Sequence, residues 1–432
     1  MEKYDIIIVG GGTSGCAAAY TAGKLGLKTL LIEKNIHLGG SITSGLVIPA
    51  MQTGKNQINT DFFKVLINEL HAIGGQITYQ DNEGWFNPEL TKIVLDKLMA
   101  NVGVDVLLCT SVKDVSIKKR RISNIYINSE ILSPYNYPIQ EYNKILSEPI
   151  ETRYVIDTTG NCEIANLCGC KFLDNSEGEQ PTSLRFIMSG VDINTFSDWL
   201  LNVDSDRDVT TVQLIDNIIH LSTAYTWDTD KNWALKPLFD NAVLDGVLKD
   251  EDRNYFQIFT VAGMPDSIAF NCPRILDSLN FNDNYVISSA LSSARQSIYR
   301  ISKFCNIYFP GFKNAYISNI ADSLGIRVSR RIKGKYVYSI DDLKKGKKFK
   351  NPVLISNYPV DVHSKNKDAS VLKNYGEYQL PIESLMSSDI DNLFVSGRSI
   401  SADFLSQSAL RVQPNCFSMG EGLVKYISKI IN

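Results

Sequence analysis

The sequence predicts an α/β architecture in which a parallel-sheet domain is split around an inserted α+β domain. Three observations carry this prediction. Within the first 40 residues a glycine-rich turn joins a buried strand to a helix and a second buried strand. From about 171 to 375 the chain changes character, with three of the four tryptophans and longer amphipathic stretches such as 285–305. A short apolar strand then returns at Asn392 to Ser396, ahead of a final helix near 414–431.

Taken in order, residues 5–9 read as a buried strand, 14–25 as a helix and 28–33 as a second buried strand. Gly26 stands where a helix-ending glycine belongs. Helices are expected around 60–73 and 88–101, the latter with Pro88 in its first turn. Strands are expected over Val104 to Ile117 and Ile122 to Ile127, with the basic run Lys118 to Arg121 turning between them. Residues 132–149, rich in Tyr, Asn, Ser and Pro, predict a loop. Arg153 to Asp157 is another short buried strand, ending at Thr158-Thr159-Gly160. The pattern divides the chain into a split domain, 1–170 and 376–432, and an inserted domain, 171–375.

Composition removes several classes of function. A chain of 432 residues predicts two or three domains. The hydrophobic fraction of 44% and charged fraction of 21% are those of an ordinary globular protein. A net charge of −3 supplies no field for nucleic acid or an acidic membrane, so neither is an expected partner. The basic runs Lys119 to Arg121 and Lys344 to Lys350 read as solvated turns. No apolar stretch approaches the ~20 residues that span a bilayer, and no export signal is recognisable, so a cytoplasmic location is expected. The eight cysteines are scattered through apolar surroundings, as buried free thiols are. Four unclustered histidines make a metal site unexpected.

The first 40 residues point to a dinucleotide. Gly10-Gly11-Gly12-Thr13-Ser14-Gly15 satisfies G-x-G-x-x-G in its required context of strand, helix and second strand. Gly10 permits the tight turn, Gly12 the approach of a pyrophosphate, and Gly15 close helix–strand packing. The helix N-terminus, through Thr13 and Ser14, offers unpaired N–H groups to phosphate. Glu33 closes the second strand, where a carboxylate can bind ribose hydroxyls. This is the Rossmann-like signature, and by itself it permits NAD or FAD.

Further segments select between them by resemblance. Glu33-Lys34 followed by Leu38-Gly39-Gly40-Ser41 resembles the extended FAD fingerprint of the glutathione-reductase-like flavoproteins. Val155 to Gly160 resembles the second short motif of that superfamily, and Asn392 to Arg398 its late motif beside the ribityl chain. The resemblance extends to a bacterial family of FAD-dependent oxidoreductases. It is carried by Gln180-Pro181-Thr182-Ser183, Pro310-Gly311-Phe312, Gly325 to Gly334, Tyr358 to His363 and Gly397 through Arg411-Val412 to Met419-Gly420. It implies FAD as cofactor, held by Gly10, Gly12, Thr13, Ser14, Gly15, Glu33, Lys34, Gly39, Gly40, Ser41, Val112, Thr159, Gly160, Gly397, Arg398 and Gly420. Gly420 is implied at the end of the final helix that faces the flavin. Val328 stands where the family usually has Glu, and Gly420-Glu421-Gly422 where it usually reads Gly-Gln-Ala-Ala-Gly.

The implied activity is hydride transfer between a small polar metabolite and flavin N5, with an electron acceptor that the sequence does not name. Substrate oxidation at carbon also requires a base, and His363 is the candidate on intrinsic pKa, with a structural histidine as the alternative. Arg327, Arg330 and Arg331 either fix a carboxylate or sugar hydroxyls, or brace the domain interface. Arg411 is a substrate anchor or a salt bridge to the inserted domain. A second G-x-G-x-x-G unit is absent, which argues against a bound NAD(P)H domain. Reduction of an activated C=C bond is an alternative reaction, a non-catalytic binding protein on the same fold a second alternative, and a homo-oligomer a possible assembly.

Overall fold

The computed structural model describes residues 3–129, 148–174, 178–225, 233–253, 255–275, 283–363 and 371–431. The predicted loop 132–149 lies outside the described residues except at its last two positions. β1 (Lys3–Val9), α1 (Thr13–Lys24) and β2 (Thr29–Ile32) open the chain. Gly26, at φ +73°, turns the chain out of the helix in the left-handed conformation that glycine tolerates. After α2 (Asp61–Ala72) comes a hairpin, β3 (Gln76–Tyr79) and β4 (Asn82–Phe86), too short for its alternation to be read from sequence. α3 (Pro88–Asn101) begins at Pro88, and the Asn87 side chain accepts from the N–H groups of Glu89 and Leu90.

The single strand expected over 104–117 is two. β5 (Asp105–Leu107) lies at one edge of the sheet and β6 (Thr110–Lys118) at the other. Cys109, at φ +50°, sits in the left-handed region between them and redirects the chain. Lys119 and Arg120 then form a two-residue turn with both φ positive, which leads into β7 (Arg121–Ser129). β8 (Ile150–Asp157) follows, then α4 (Glu163–Leu167).

The inserted region adds β9 (Thr182–Ser183), β10 (Phe186–Ser189), α5 (Ile193–Val203), β11 (Thr210–Ile215), β12 (Ile218–Tyr225) and α6 (Lys236–Leu244). It continues through β13 (Phe256–Val261), β14 (Met264–Phe270), β15 (Arg274–Ile275), α7 (Asn284–Tyr308) and β16 (Tyr316–Ile320). Six of these strands make an antiparallel sheet in the order β11-β12-β13-β14-β10-β16. Its covered face is aromatic, with Phe186, Phe256, Phe270, Phe304 and Phe312 all buried. The chain closes with α8 (Ile340–Lys344), β17 (Pro352–Ser356), β18 (Val360–Val362), β19 (Val371–Lys373), β20 (Tyr378–Pro381), β21 (Leu393–Val395), α9 (Phe404–Leu410) and α10 (Gln413–Ile431).

The parallel sheet runs β5-β2-β1-β8, with β21 parallel beside the end of β8 and β7 antiparallel beside its start. A strand from the far end of the sequence thus completes a sheet begun at residue 3. β1 is buried on both faces, as a central parallel strand must be. Ile6 and Ile8 join the core that continues into the antiparallel domain, whereas Tyr4, Ile7 and Val9 join a second core with Ile332 and Val395. Asn392 locks the junction: its amide donates to the carbonyls of Ile122 and Arg153, and its oxygen accepts from Ile122 N–H. No helix among the described residues is long and apolar enough to cross a membrane.

Candidate active site

In an open α/β sheet the ligand crevice lies at the carboxyl ends of the strands, and the glycine turn occupies that edge here. Gly10 has φ +104°, and a side chain there would strike the Thr158 backbone at 2.6 Å. At Gly15 a Cβ would come within 1.9 Å of the Gly10 carbonyl oxygen, so helix and turn touch. Gly12 differs: a Cβ there would meet nothing within 4 Å. It is the N-cap of α1, with no side chain capping the helix, so the first N–H groups, those of Thr13 and Ser14 among them, lie open to a ligand. The Ser14 hydroxyl bonds that of Ser396, 2.6 Å away, tying the turn to the end of β21.

Glu33 is buried and braces the turn. One carboxylate oxygen accepts from Gly11 N–H at 2.6 Å, and the other from the backbone and side chain of Asn35. Lys34 points outward to Glu163, 3.4 Å away. Gly39 and Gly40, both at positive φ, bring their turn against Gly12, which bridges Gly39. The carbonyl of Ser41 accepts from Val47 N–H. A cleft of about 360 Å³ lined by Lys34, Asn35, His37, Ser44 and Cys109 opens beside these residues, and the buried Ser44 hydroxyl has no partner among the described residues. Val112 is half-buried on β6 against the second core.

The other half of the edge comes from β8 and β21. Asp157 accepts from the N–H and hydroxyl of Thr159 and from the N–H groups of Ile164 and Ala165, so it caps α4 and fixes the turn at Gly160. Arg398 follows Gly397 and donates to the Gly160 carbonyl at 2.7 Å. Gly420 departs from the expectation. It lies two turns inside α10 rather than at its N-terminus, and a Cβ there would come within 2.2 Å of the Ser14 carbonyl oxygen. There it lets α10 pack closely on α1. Glu421 beside it accepts from Phe62 N–H at the start of α2 and from Lys425.

A second set of polar groups converges beyond the Gly39-Gly40 turn. His363 Nδ1 accepts from Arg274 at 3.1 Å, and its Nε2 lies 3.3 Å from Asp361. This pattern assigns the tautomer with the proton on Nε2. Burial, reinforced by Arg327 and Arg274, lowers the imidazole pKa to about 4 against the opposing bond to Asp361. Burial opposes ionisation of Asp361, yet the bond from His363 and the charges of Arg411 and Arg327 outweigh it and hold the carboxyl below its ordinary range. At neutral pH the pair is therefore imidazole and carboxylate. Arg411 donates to Gln180 and to the Asp361 carbonyl, and lies 3.6 Å from the Asp361 carboxylate.

The three clustered arginines separate. Arg327, 8% exposed, belongs to this pocket and donates to the Pro181 carbonyl. Arg330 lies over the Phe172 ring, 5.8 Å from its centroid. Arg331, 0% exposed, is in the core and donates to the carbonyls of Ala402 and Asp174. Sequence reasoning missed Arg185, Arg274 and Tyr255, which complete the pocket. Arg274 stacks 3.5 Å over the buried Tyr255 ring, and Arg185 reaches the Leu46 carbonyl. Their signal was present: each arginine interrupts an apolar run, Leu184 to Met188 and Cys272 to Ile275. Gln413, at the start of α10, donates to the Val47 carbonyl, so residues 46–47 join the pocket to the glycine edge.

A family model described as FAD dependent oxidoreductase matches residues 5–423 of the chain. Thiamine thiazole synthase of Pyrococcus horikoshii is 28% identical over 167 residues, 37% of this chain and 58% of that protein. The chain thus spans about 58% of the length of that curated relative. Digeranylgeranylglycerophospholipid reductase of Thermoplasma acidophilum is 51% identical over 45 residues, 10% of this chain and 11% of that one. Among solved structures, a geranylgeranyl bacteriochlorophyll reductase-like protein of Thermoplasma acidophilum aligns over 100% of this chain and 79% of its own, with 15% identity and a TM-score of 0.46.

Proposed function

The chain belongs to the FAD dependent oxidoreductase family, and on that premise we propose that it transfers a hydride between a small polar metabolite and the flavin. The cofactor is FAD, and the glycine edge suits it: an open approach at Gly12, an uncapped helix N-terminus, an acidic residue at the end of β2 and an unpartnered Ser44 hydroxyl in the adjoining cleft. FAD, when bound, supplies the two-electron acceptor or donor at N5. In this reading Gly10, Gly12, Thr13, Ser14, Gly15, Glu33, Gly39, Gly40, Ser41, Thr159, Gly160, Gly397 and Arg398 are the residues that hold it. Residues 171–375 serve as the substrate domain.

The observation that carries the proposal is His363 held between Arg274 and Asp361. The unprotonated nitrogen is Nδ1. A substrate that draws Arg274 aside exposes that lone pair to the substrate proton, and Asp361 stabilises the imidazolium formed. A folded-state pKa of about 4 keeps the base unprotonated at neutral pH. Arg327 and Arg411 orient the substrate by charge-assisted hydrogen bonds.

The test is anaerobic mixing of the FAD-loaded enzyme with a panel of polyols, hydroxy acids and amines, following flavin absorbance near ~450 nm. With the metabolite that bleaches the flavin, His363→Ala slows bleaching by ~10²-fold or more. An unchanged rate removes His363 from the mechanism.

A further inference from the structure

Four guanidinium groups, from Arg185, Arg274, Arg327 and Arg411, cluster around Gln180, Asp361 and His363: Arg274 bonds His363, Arg411 bonds Gln180 beside Asp361, Arg327 bonds the neighbouring Pro181, and Arg185 and Arg327 both lie in the field of Arg274 and Arg411. Arginine remains charged in proteins, so the pocket holds four cations. Among the described residues, the one carboxylate paired with any of them is Asp361, and its neighbour His363 is neutral. A buried cation is stable only when paired and hydrogen-bonded, and several like charges in one desolvated space compound the cost. Burial is the first cause lowering Arg185 to about 10, with Arg411 and Arg274 adding to it.

The hydrogen-bond inventory is as incomplete as the charge. Each guanidinium carries five N–H donors. Arg185 donates one bond of 3.4 Å to Leu46, and Arg274 one to His363 while its face rests on the Tyr255 ring. The Nε groups of Arg185, Arg274 and Arg411 are buried without a partner among the described residues. So are the amide nitrogen of Gln180, whose oxygen accepts from Arg411 and from His363 N–H, and the hydroxyl of Ser183. Brace arginines in the same molecule look different: Arg331 donates to two backbone carbonyls and Arg300 pairs with Asp252 and Glu251.

We propose that the metabolite taken into this pocket carries at least two anionic groups, carboxylates or phosphates, which supply the missing counter-charge to Arg185, Arg274, Arg327 and Arg411. This rests on the hydride-transfer reading for its biological meaning but not for its test. A neutral polyol or a monoamine leaves the cations uncompensated. An anion with two planar acceptor groups uses two arginines each in bidentate contact. Selection then falls on charge number before carbon skeleton, because a site built of buried donors rejects ligands that leave them unpaired.

Isothermal titration calorimetry of the FAD-loaded enzyme, with propionate, succinate, citrate, phosphoglycolate and erythritol as probes, tests this without turnover. Succinate, citrate or phosphoglycolate is expected to bind at least tenfold tighter than propionate, about 1.4 kcal/mol, with no heat from erythritol. Which of these polyanionic probes binds best, the carboxylate-only succinate and citrate or the phosphate-bearing phosphoglycolate, separates carboxylate from phosphate recognition. Arg274→Gln and Arg327→Lys are each expected to weaken that binding tenfold or more while retaining FAD. Arg185→Met removes a buried like charge, so its ligand-free Tm is expected to match or exceed that of the parent while the ligand-induced rise in Tm is lost. Equal binding of propionate and succinate, parent-like affinity in both variants, or a ligand-free Tm several degrees lower for Arg185→Met would overturn the proposal. Tight citrate binding by an enzyme that no donor reduces and no acceptor reoxidises overturns the hydride-transfer reading alone. Reduction by a neutral metabolite, with no anion binding, overturns this proposal alone.

Discussion

His363 illustrates how little of a residue's role its intrinsic chemistry decides. Its imidazole was legible as a base because few other histidines compete, but its tautomer is set by Arg274 and Asp361, and its pKa is depressed by burial and by the charges of Arg327 and Arg274, which are distant in sequence, against the opposing bond to Asp361. The depression has a measurable sign. Unfolded His titrates near ~6.5 and the folded group near 4, so between these values the unfolded chain binds a proton that the native one does not. Stability therefore falls as pH drops through that window, by up to roughly 3 kcal/mol. Thermal melts at pH 7 and pH 4.5 are expected to show a smaller loss of Tm in His363→Gln than in the parent; parallel losses would place the effect elsewhere. The arginines make the same point from the other side. Arg327, Arg330 and Arg331 look alike in sequence, yet one faces the pocket, one covers a phenylalanine ring and one is core.

At the scale of elements, the first βαβ unit was readable because every local signal agreed: apolar strands, an uncapped glycine turn and a glycine stop. Hidden features were those set by single backbone positions or by distant partners. The left-handed Cys109 splits one apparent strand into two at opposite sheet edges, and β3–β4 is too short for periodicity to reveal. The close packing of Gly420 on Ser14 was equally hidden, because it joins α10 to α1 across the length of the chain. The glycine turn also yields a sharp prediction. In Gly15→Ala the new methyl lies 1.9 Å from the Gly10 carbonyl, forcing α1 away from the turn. A loss of roughly 1–3 kcal/mol of stability is expected, with protein recovered short of FAD. Full flavin occupancy and unchanged Tm would show that the turn relaxes freely.

Across the whole molecule, the chain builds six strands of a seven-stranded sheet, leaves to form an antiparallel domain, and returns to add the seventh, β21. The return was legible from the apolar strand at 392–396. The pocket was not, because its residues come from the position before β10, from β15, from the segment after β16, from β18 with the residue after it, and from the junction of α9 with α10, which sequence cannot bring together. That convergence puts the imidazole and the guanidinium groups one short segment, Leu46-Val47, away from the glycine edge proposed to hold FAD. The direct measurement is stopped-flow reduction of the FAD-loaded enzyme, under anaerobic conditions, by the metabolite that bleaches it, compared with the same metabolite deuterated at the reacting carbon. Hydride transfer from a C–H bond predicts bleaching in one two-electron step that is slower for the deuterated donor. Bleaching at equal rates, or no bleaching by any carbon donor together with no reoxidation of the reduced enzyme by any carbon acceptor, would contradict it.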